Sequence, residues 1–302
     1  MSQLLRRLGG ERLADAFREA VSGDPKGLPI WASEMSIGDD IGLFGVDSDV
    51  WKVHGSLATL VGGVRALLMQ AAYPAALAGV AQHSAYDTDP LGRLERTTRW
   101  LTITSFGSTE AIAKEARRVN TLHGKVEGEY VNHDQELQHY QASQARHLLW
   151  VHCAFTDSFL TAYRELDRAK DRSVSNYVAE WAKSAQPLGL QNAPLSDEEL
   201  QSTLDDFLGN EIGPIEQTPR IIHFIVKPPF SMAAMPFYRI LCNAAISTLD
   251  PRVLAAIGLK PKSRIWLKIV KPILRVLQAL LGKESPSQSI ARERIARITS
   301  TP

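Results

Sequence analysis

Apolar residues recur at helical spacing along most of the chain from Trp51 onward, and the alternation typical of strands is scarce. Residues 57–85 are apolar nearly all round and are interrupted by Pro74, which predicts a buried helix or a kinked pair of helices. Pro90 follows a turn-forming Asp-Thr-Asp sequence that starts at Asp87, and it can begin the next helix. The pattern therefore predicts an all-α fold.

A histidine lies on the apolar stripe of the helix predicted after Ser108. Ser108 is a favourable N-cap, and Glu110 lies in the first turn, where the helix dipole favours an acid. The apolar positions of the stripe are Ile112, Ala116, Val119 and Val126. His123 completes the stripe, and it is either a core residue with a satisfied hydrogen bond or a ligand for a buried cofactor. The spacing alone favours the core interpretation.

Polar side chains cluster on the preceding helix. Arg93 and Thr97 are four residues apart and share a helical face, and Arg96 flanks that face. A buried imidazole can bind haem iron, and arginines nearby can pair with the haem propionates. His152, on a later apolar helical face, competes with His123 for the role of that imidazole.

Composition excludes several classes of function. The 302 residues include 34 basic and 33 acidic side chains, and the net charge of +1 does not indicate a nucleic-acid-binding protein. Cys153 and Cys242 are the only cysteines, too few for a disulfide scaffold or a four-cysteine metal site. This usage is typical of a reducing compartment and predicts a cytoplasmic protein. The chain has no stretch of about 18 uncharged apolar residues, so no transmembrane helix is expected.

Motifs for other chemistries are absent from the sequence or occur in isolation. The chain contains no G-x-S-x-G nucleophile motif, no phosphate-binding loop with Lys-Ser/Thr and no H-E-x-x-H zinc motif. One Glu-x-x-His motif, from Glu136 to His139, lies in a polar stretch. A di-iron bundle requires two such motifs on facing helices, so we interpret this one as a chance match.

The two ends of the chain differ from its middle. Residues 263–283 form a basic amphipathic segment broken by Pro272, which can lie on an anionic membrane surface or pack on the domain with its lysines in water. The second interpretation is favoured. We expect residues 1–50 to form a short helix and a loop-rich arm, with the helix preferred over a signal peptide. Residues 51–262 would form one large helical domain with a buried cofactor pocket between its helices, and residues 263–302 the basic helix and a polar tail.

A set of short motifs follows in a characteristic order along the middle of the chain. They are Leu68-Met-Gln-Ala-Ala-Tyr-Pro74, Asp89-Pro-Leu-Gly-Arg-Leu-Glu-Arg-Thr-Thr98, Phe106-Gly, Val119-Asn-Thr-Leu-His-Gly-Lys-Val-Glu-Gly128, Tyr140-Gln-Ala and Trp150-Val-His152. Together they resemble the MpaB-type oxygenase family, which shares its catalytic domain with the rubber oxygenases (latex clearing proteins). The resemblance covers about residues 50–260. It implies an all-helical fold around a b-type haem and the oxidative cleavage of carbon–carbon double bonds in isoprenoid chains, with dioxygen as the oxidant.

The resemblance also implies roles for individual residues. His123 matches the proximal haem ligand of the family, and Arg93 and Thr97 match the arginine and threonine that bracket a distal lysine. Arg96 stands where the rubber oxygenases have that lysine. Because a guanidinium keeps its proton, Arg96 is a poor iron ligand and is expected to donate hydrogen bonds to oxygen or peroxide instead.

Three further positions bear on the comparison with the rubber oxygenases. Tyr73 replaces a histidine often found before the following proline, and no glutamate lies between Glu34 and Glu95, where a proposed catalytic base is expected. His152 matches a family position that we interpret as structural or as a hydrogen-bond partner. These departures affect the details of the chemistry more than the binding of haem.

The sequence predicts a haem b-dependent oxygenase or peroxygenase-like enzyme, with His123 as the metal ligand. Its partners would be dioxygen or peroxide and an apolar small molecule. The side chains expected to shape the haem pocket and to act in catalysis are Arg93, Arg96 and Thr97, and those expected to line the substrate pocket include Leu68, Trp100 and Phe106. Two alternatives stay open at this point. One is a non-enzymatic haem carrier or sensor held at a membrane surface by residues 263–283, and the other is a haem-free member of the same fold.

Overall fold

The computed structural model describes residues 24, 26–83, 90–167 and 174–300, and for residues 90–94 it describes the backbone alone. The helix predicted near the N-terminus and the turn predicted at residues 87–89 lie outside these ranges. The α-helices are α1 (Asp49–Gly55), α2 (Thr59–Ala71), α3 (Pro74–His83), α4 (Pro90–Phe106), α5 (Thr109–His123), α6 (Ala145–Leu166), α7 (Tyr177–Ala182), α8 (Asp197–Asn210), α9 (Thr218–Val226), α10 (Met235–Ile246), α11 (Pro251–Ala256), α12 (Ile265–Leu281) and α13 (Pro286–Thr299). Short 3₁₀ helices span Ile30–Ser36 and Lys183–Leu188. The prediction of an all-α fold is confirmed.

Local sequence signals set the boundaries of several helices. Pro74 begins α3, and the axes of α2 and α3 meet at an angle of 100°, as a kinked pair would. The Ser108 hydroxyl accepts a hydrogen bond from the backbone N–H of Ala111 at the start of α5. The Ser196 hydroxyl does the same for Glu199 in α8. The predicted N-cap at Ser108 is therefore confirmed, and Ser196 has the same role at the start of α8.

A two-stranded hairpin was not predicted from the sequence. The strands β1 (Glu127–Val131) and β2 (Leu137–Gln141) pair in antiparallel register, with Glu129 opposite His139. Gln82 of α3 holds the hairpin, because its side chain donates to the Glu129 carbonyl at 2.7 Å and accepts from the Tyr140 hydroxyl at 2.8 Å. The strands are short and rich in polar residues, so their sequence lacks a clear period. Glu136 and His139 are both exposed on this hairpin and do not lie on a helix.

The packing of α2 against α6 forms the centre of the core. A Cβ atom at Gly62 would lie 2.8 Å from the Phe159 ring and 3.2 Å from the Ser158 carbonyl oxygen, so the two helices approach too closely for any other residue. The buried Arg65 guanidinium forms a 2.6 Å ion pair with Asp157 and donates to the Ser158 hydroxyl at 2.9 Å. These contacts fix α2 and α6 relative to each other in both spacing and register.

The basic C-terminal segment packs on the domain. The inward face of α12 consists of buried leucines and a valine at helical spacing, namely Leu267, Val270, Leu274, Leu277 and Leu280. Pro272 lies inside the helix without ending it. This arrangement supports the interpretation of residues 263–283 as a helix packed against the protein.

The residues after Ser285, expected to form a polar tail, form α13 instead. Ser285 and Gln288 make a reciprocal capping box, and Pro286 occupies the first turn. The fully buried Arg294 donates hydrogen bonds to the carbonyl oxygens of Met35 and Phe106 at 2.7 and 3.0 Å. The prediction of a polar tail was wrong. The segment is polar on average, but it contains a helix N-cap at Ser285 and an arginine, Arg294, that is buried in the core.

Among the described residues, no single helix is long and apolar enough to cross a membrane. The bent pair of α2 and α3 reaches the required length and composition when taken together. The predicted division of the chain at residues 50 and 262 stays a prediction.

Replacing Asp157 by alanine is expected to destabilise the fold by about 3 kcal/mol, because it leaves the Arg65 charge buried without its counter-ion. Urea unfolding followed by circular dichroism measures this loss. The matched control is Asp205→Ala, which breaks the exposed ion pair with Arg252 and should cost less than about 1 kcal/mol. Equal losses in the two variants would contradict the central role of the buried pair.

Candidate functional site

A cavity of about 410 Å³ lies among α2, α3, α4, α6, α9 and α10. Its wall is apolar over most of its surface, with residues such as Leu60, Leu67, Phe155, Ile221 and Phe237. None of the described residues that line it is Asp, Glu, Lys or Arg. The predicted pocket between helices is therefore present, and it suits an uncharged ligand.

Two adjacent glycines have different roles at this cavity. Gly62 allows α2 to approach α6, whereas a Cβ atom at Gly63 would meet no atom within 4 Å. Gly63 lines the cavity together with Val64 and Leu67 of the same helix. Gly62 therefore lies on the side of α2 that packs against α6, whereas Gly63 lies on the side that borders the cavity.

His54 is a buried histidine on the cavity wall, and both of its ring nitrogens have partners. Nδ1 lies 2.7 Å from the Ser105 hydroxyl, and Nε2 lies 2.9 Å from the Tyr177 hydroxyl. The Ser105 hydroxyl donates to the Leu101 carbonyl at 2.6 Å, so it accepts from a protonated Nδ1, while Nε2 accepts from Tyr177. Burial lowers the pKa of His54 to about 3, so the ring is neutral near pH 7.

Hydroxyl groups follow one face of α4 along the cavity. Thr98, Thr102 and Ser105 all line it, at spacings of four and three residues. Within the described part of the chain, the hydroxyls of Thr98 and Thr102 form no hydrogen bond. The i, i+4, i+7 spacing was visible in the sequence, but nothing there showed that this face lines a cavity.

An ion-pair network fixes the opposite side of α4. Arg99 donates to the fully buried carboxylate of Glu115 at 2.9 Å and to Glu34 at 3.1 Å. Arg118 also contacts Glu115, at 2.5 Å, and the pairing raises the pKa of the Arg118 guanidinium. The network holds α4 against α5 in a rotation that keeps its threonines on the cavity.

The structure brings some of the predicted residues to the cavity and leaves others away from it. Thr97 and Phe106 line it. Three other predicted residues do not line the cavity. Arg96 is exposed, Leu68 is buried in the core, and Trp100 is half-buried away from the cavity wall. The side chain of Arg93 lies outside the described residues.

His123 is the last residue of α5 and is half-buried, outside the wall of the cavity. Its Nδ1 atom is shielded from solvent, and neither ring nitrogen forms a hydrogen bond within the described part of the chain. Burial lowers the pKa of His123, so the imidazole is neutral near pH 7 and has a lone pair to offer.

Helix geometry places His123 at the same end of the α4–α5 pair as Arg93. The two helices are joined by a short turn at residues 107–108 and meet at the ion pair between Arg99 and Glu115. Arg93 precedes Arg99 by six residues, and His123 follows Glu115 by eight. At the rise of an α-helix these steps are about 9 and 12 Å, both leading away from the turn.

His152 is the competing imidazole on α6. Its Nε2 atom is shielded from solvent and has no partner among the described residues, and burial lowers its pKa to about 4. His147, one turn earlier, instead contacts the Tyr73 hydroxyl through Nδ1 at 2.9 Å. The interpretation of His152 as structural or as a hydrogen-bond partner stays a prediction.

The donor atoms that the described residues offer are compatible with a haem, with His123 and His152 each presenting an imidazole nitrogen without a partner. Among the described residues, no group of three or more His, Cys, Asp or Glu side chains could hold a metal. A haem needs only one or two protein ligands on its iron, and a neutral imidazole without a partner supplies one. His123 meets this requirement. His54 does not, because both of its nitrogens are engaged.

Acidification is expected to destabilise the protein partly through His54. Its pKa of about 3 in the folded protein lies below the value of 6.5 in an unfolded chain. The unfolded state therefore binds the proton first, and stability falls as the pH drops from about 6.5 towards 3, by up to about 1.4 kcal/mol per pH unit. Urea unfolding between pH 7 and 5 should show a shallower slope in His54→Gln than in the wild type, whatever its stability at pH 7. Identical slopes would contradict a neutral buried His54.

Comparison with known proteins identifies the family of the chain. Neither a search of curated proteins nor a search of solved structures found a significant match. A family model matches residues 51–280, about three quarters of the chain, and its description is ER-bound oxygenase mpaB/B′/rubber oxygenase, catalytic domain. The chain belongs to this MpaB/rubber oxygenase family and carries its oxygenase catalytic domain.

Proposed function

We propose that this protein is a haem b-dependent oxygenase that acts on an apolar small molecule, with dioxygen or peroxide as the oxidant. The observation that carries the proposal is a mostly apolar cavity, with no charged side chain among its described lining residues, inside an oxygenase-family domain. The neutral imidazole of His123, which has no hydrogen-bond partner among the described residues, supports haem as the cofactor.

His123 would hold the haem iron, and Arg93 and Thr97 would contact the bound group from α4. When bound, haem supplies a redox-active iron that activates oxygen. Thr97 belongs both to this set and to the cavity wall, so it would stand between the cofactor and the substrate. Arg96, which always carries its proton, is exposed and does not line the cavity, so its predicted hydrogen bond to the oxidant would need the side chain to reach inward from the surface of α4.

The cavity wall would hold the substrate and exclude water. Aromatic and aliphatic side chains from six helices surround the space, so an apolar ligand buries its surface there at little desolvation cost. The absence of charged side chains among the described lining residues keeps the site weakly polar. Side reactions that need bulk water are therefore suppressed. A cytoplasmic location stays a prediction.

Purified wild-type protein is expected to be red, with a Soret absorption band. The band should be lost in His123→Ala, because the iron loses its protein ligand. His139→Ala is the matched control, since His139 is exposed on the hairpin and should leave the spectrum unchanged. His152→Ala tests the competing imidazole.

Two results would contradict this assignment. One is a wild-type protein that takes up no haem during expression with ample haem precursor. The other is a Soret band that survives in His123→Ala and disappears in His152→Ala.

We also propose that the outer face of α12 contacts an anionic membrane. Ile265, Ile269 and Val276 form an exposed ridge, with 49%, 38% and 50% of their surfaces accessible. Lys268 and Arg275 flank this ridge and form no ion pair with any described residue. From residue 251 to residue 283 the chain contains no Asp or Glu.

This combination of an apolar ridge with flanking cations suits a bilayer that carries anionic headgroups. Each Lys or Arg near such a surface contributes about 1 kcal/mol, and the exposed apolar side chains can enter the headgroup region. The exposed ridge and its cations favour membrane contact both for an enzyme and for a non-enzymatic haem carrier. Turnover assays distinguish the enzyme from the carrier.

Full-length protein is expected to float with vesicles that contain phosphatidylserine and not with pure phosphatidylcholine vesicles. The variant Lys268→Glu/Arg275→Glu should lose this binding, whereas Lys125→Glu/Lys183→Glu, with the same change in charge on other exposed residues, should keep it. Equal binding to both kinds of vesicle, or equal losses in the two variants, would contradict the proposed contact.

A further inference from the structure

Most polar side chains on the cavity wall have partners within the protein. The hydroxyls of Thr59 and Tyr238 donate to the carbonyl oxygens of Ser56 and Ile225. His54 and Ser105 form the chain of hydrogen bonds described above. These groups need nothing from a ligand, although the Ser105 oxygen keeps one free lone pair.

Three polar side chains on the wall lack such partners in the described part of the chain. They are Gln70 on α2 and Thr98 and Thr102 on α4. All three are half-buried and line the cavity. A polar group in such a place is costly unless water or a ligand atom bonds to it. The wall therefore presents two hydroxyls and one carboxamide for hydrogen bonding.

The described residues of the same wall include no side chain that could balance the charge of an ion. None of its described residues is Asp, Glu, Lys or Arg, and His54 is neutral. The nearest charged network on α4, at Arg99, faces α5 and not the cavity. Because moving an ion into a weakly polar space without a counter-charge costs several kcal/mol, an anionic or cationic ligand is rejected.

We propose that this cavity binds an uncharged amphiphile, an apolar chain that carries a hydroxyl or carbonyl group, and that Gln70, Thr98 and Thr102 bind its oxygen. Hydroxyls can donate to a carbonyl oxygen or accept from an alcohol, and the carboxamide can do both. The apolar remainder of the ligand fills the space next to Gly63, which is open because that residue has no side chain. The proposal deepens the proposed function by naming the substrate class, and it rests on that function only in calling the ligand a substrate.

Displacement of the uncharged fluorescent dye Nile red from the full-length protein tests this site. 1-Decanol, decanoate and decylammonium have matched chains and differ in charge. At pH 7, decanol should displace the dye at a concentration at least about tenfold lower than either ion, which corresponds to about 1.4 kcal/mol of discrimination.

Valine substitutions remove the hydroxyls without changing side-chain shape. Thr98→Val and Thr102→Val should each weaken decanol binding about fivefold and leave decane binding unchanged, because each removes one hydrogen bond. Thr104→Val is the matched control, since Thr104 lies on the same helix, is buried and does not line the cavity. Gly63→Leu should fill the space and weaken the binding of every ligand.

Two outcomes would overturn the proposal. One is decanoate or decylammonium binding as tightly as decanol, and the other is decanol affinity that is the same in both valine variants and in the wild type. Neither measurement needs bound haem. If the protein binds decanol but has no Soret band, the haem enzyme is rejected and the proposed site is kept. If the protein has a Soret band but does not bind decanol selectively, the site is rejected and the haem enzyme is kept.

Discussion

The close approach of α2 and α6 determines the geometry on which the rest of the protein depends. Gly62 lets the backbone of α2 reach Phe159, and the ion pair between Arg65 and Asp157 fixes the register of the two helices inside the core. A buried ion pair contributes little net stability compared with apolar packing, but it penalises every arrangement in which the two charges do not meet. It therefore selects one register. That register places Gly63 of α2 and Phe155 of α6 on the wall of the cavity.

The ion pairs of Arg99 lie on one side of α4 and the cavity lies on the other, so the cavity wall is weakly polar. Arg99 and its acidic partners lie on the side towards α5, where they satisfy one another. The other side offers Thr98 and Thr102 to the cavity, and most of the remaining wall is apolar. One helix thus separates a charged network from a weakly polar binding space. An oxygenase that must exclude water and still orient a substrate needs this kind of environment.

Features with a local cause were predictable from the sequence. The bend at Pro74 and the caps at Ser108 and Ser196 follow from backbone geometry and from side chains only a few residues away. The expected pocket between helices is present and Thr97 lies on its wall, but the role of Thr97 at a haem stays a prediction. The hairpin was missed because its pairing depends on Gln82 of α3, which no local period reveals.

The polar part of the cavity could not be predicted, because its partners are distant in the sequence. His54 meets Tyr177 across 123 residues, and nothing near His54 indicates a buried histidine. Thr98 and Thr102 have the spacing of a helical face, but only the packed structure shows what that face contacts. The ligand role of His123 came from the ordered motifs around it, and the structure adds a neutral imidazole without a partner among the described residues.

The central claim is that this oxygenase domain carries haem b. The most direct test is the pyridine haemochrome spectrum of the purified full-length protein, set against its protein concentration. The account predicts the spectrum of haem b at a ratio approaching one haem per chain. A protein that is folded, binds decanol and yet contains no haem after expression with a haem precursor would contradict it.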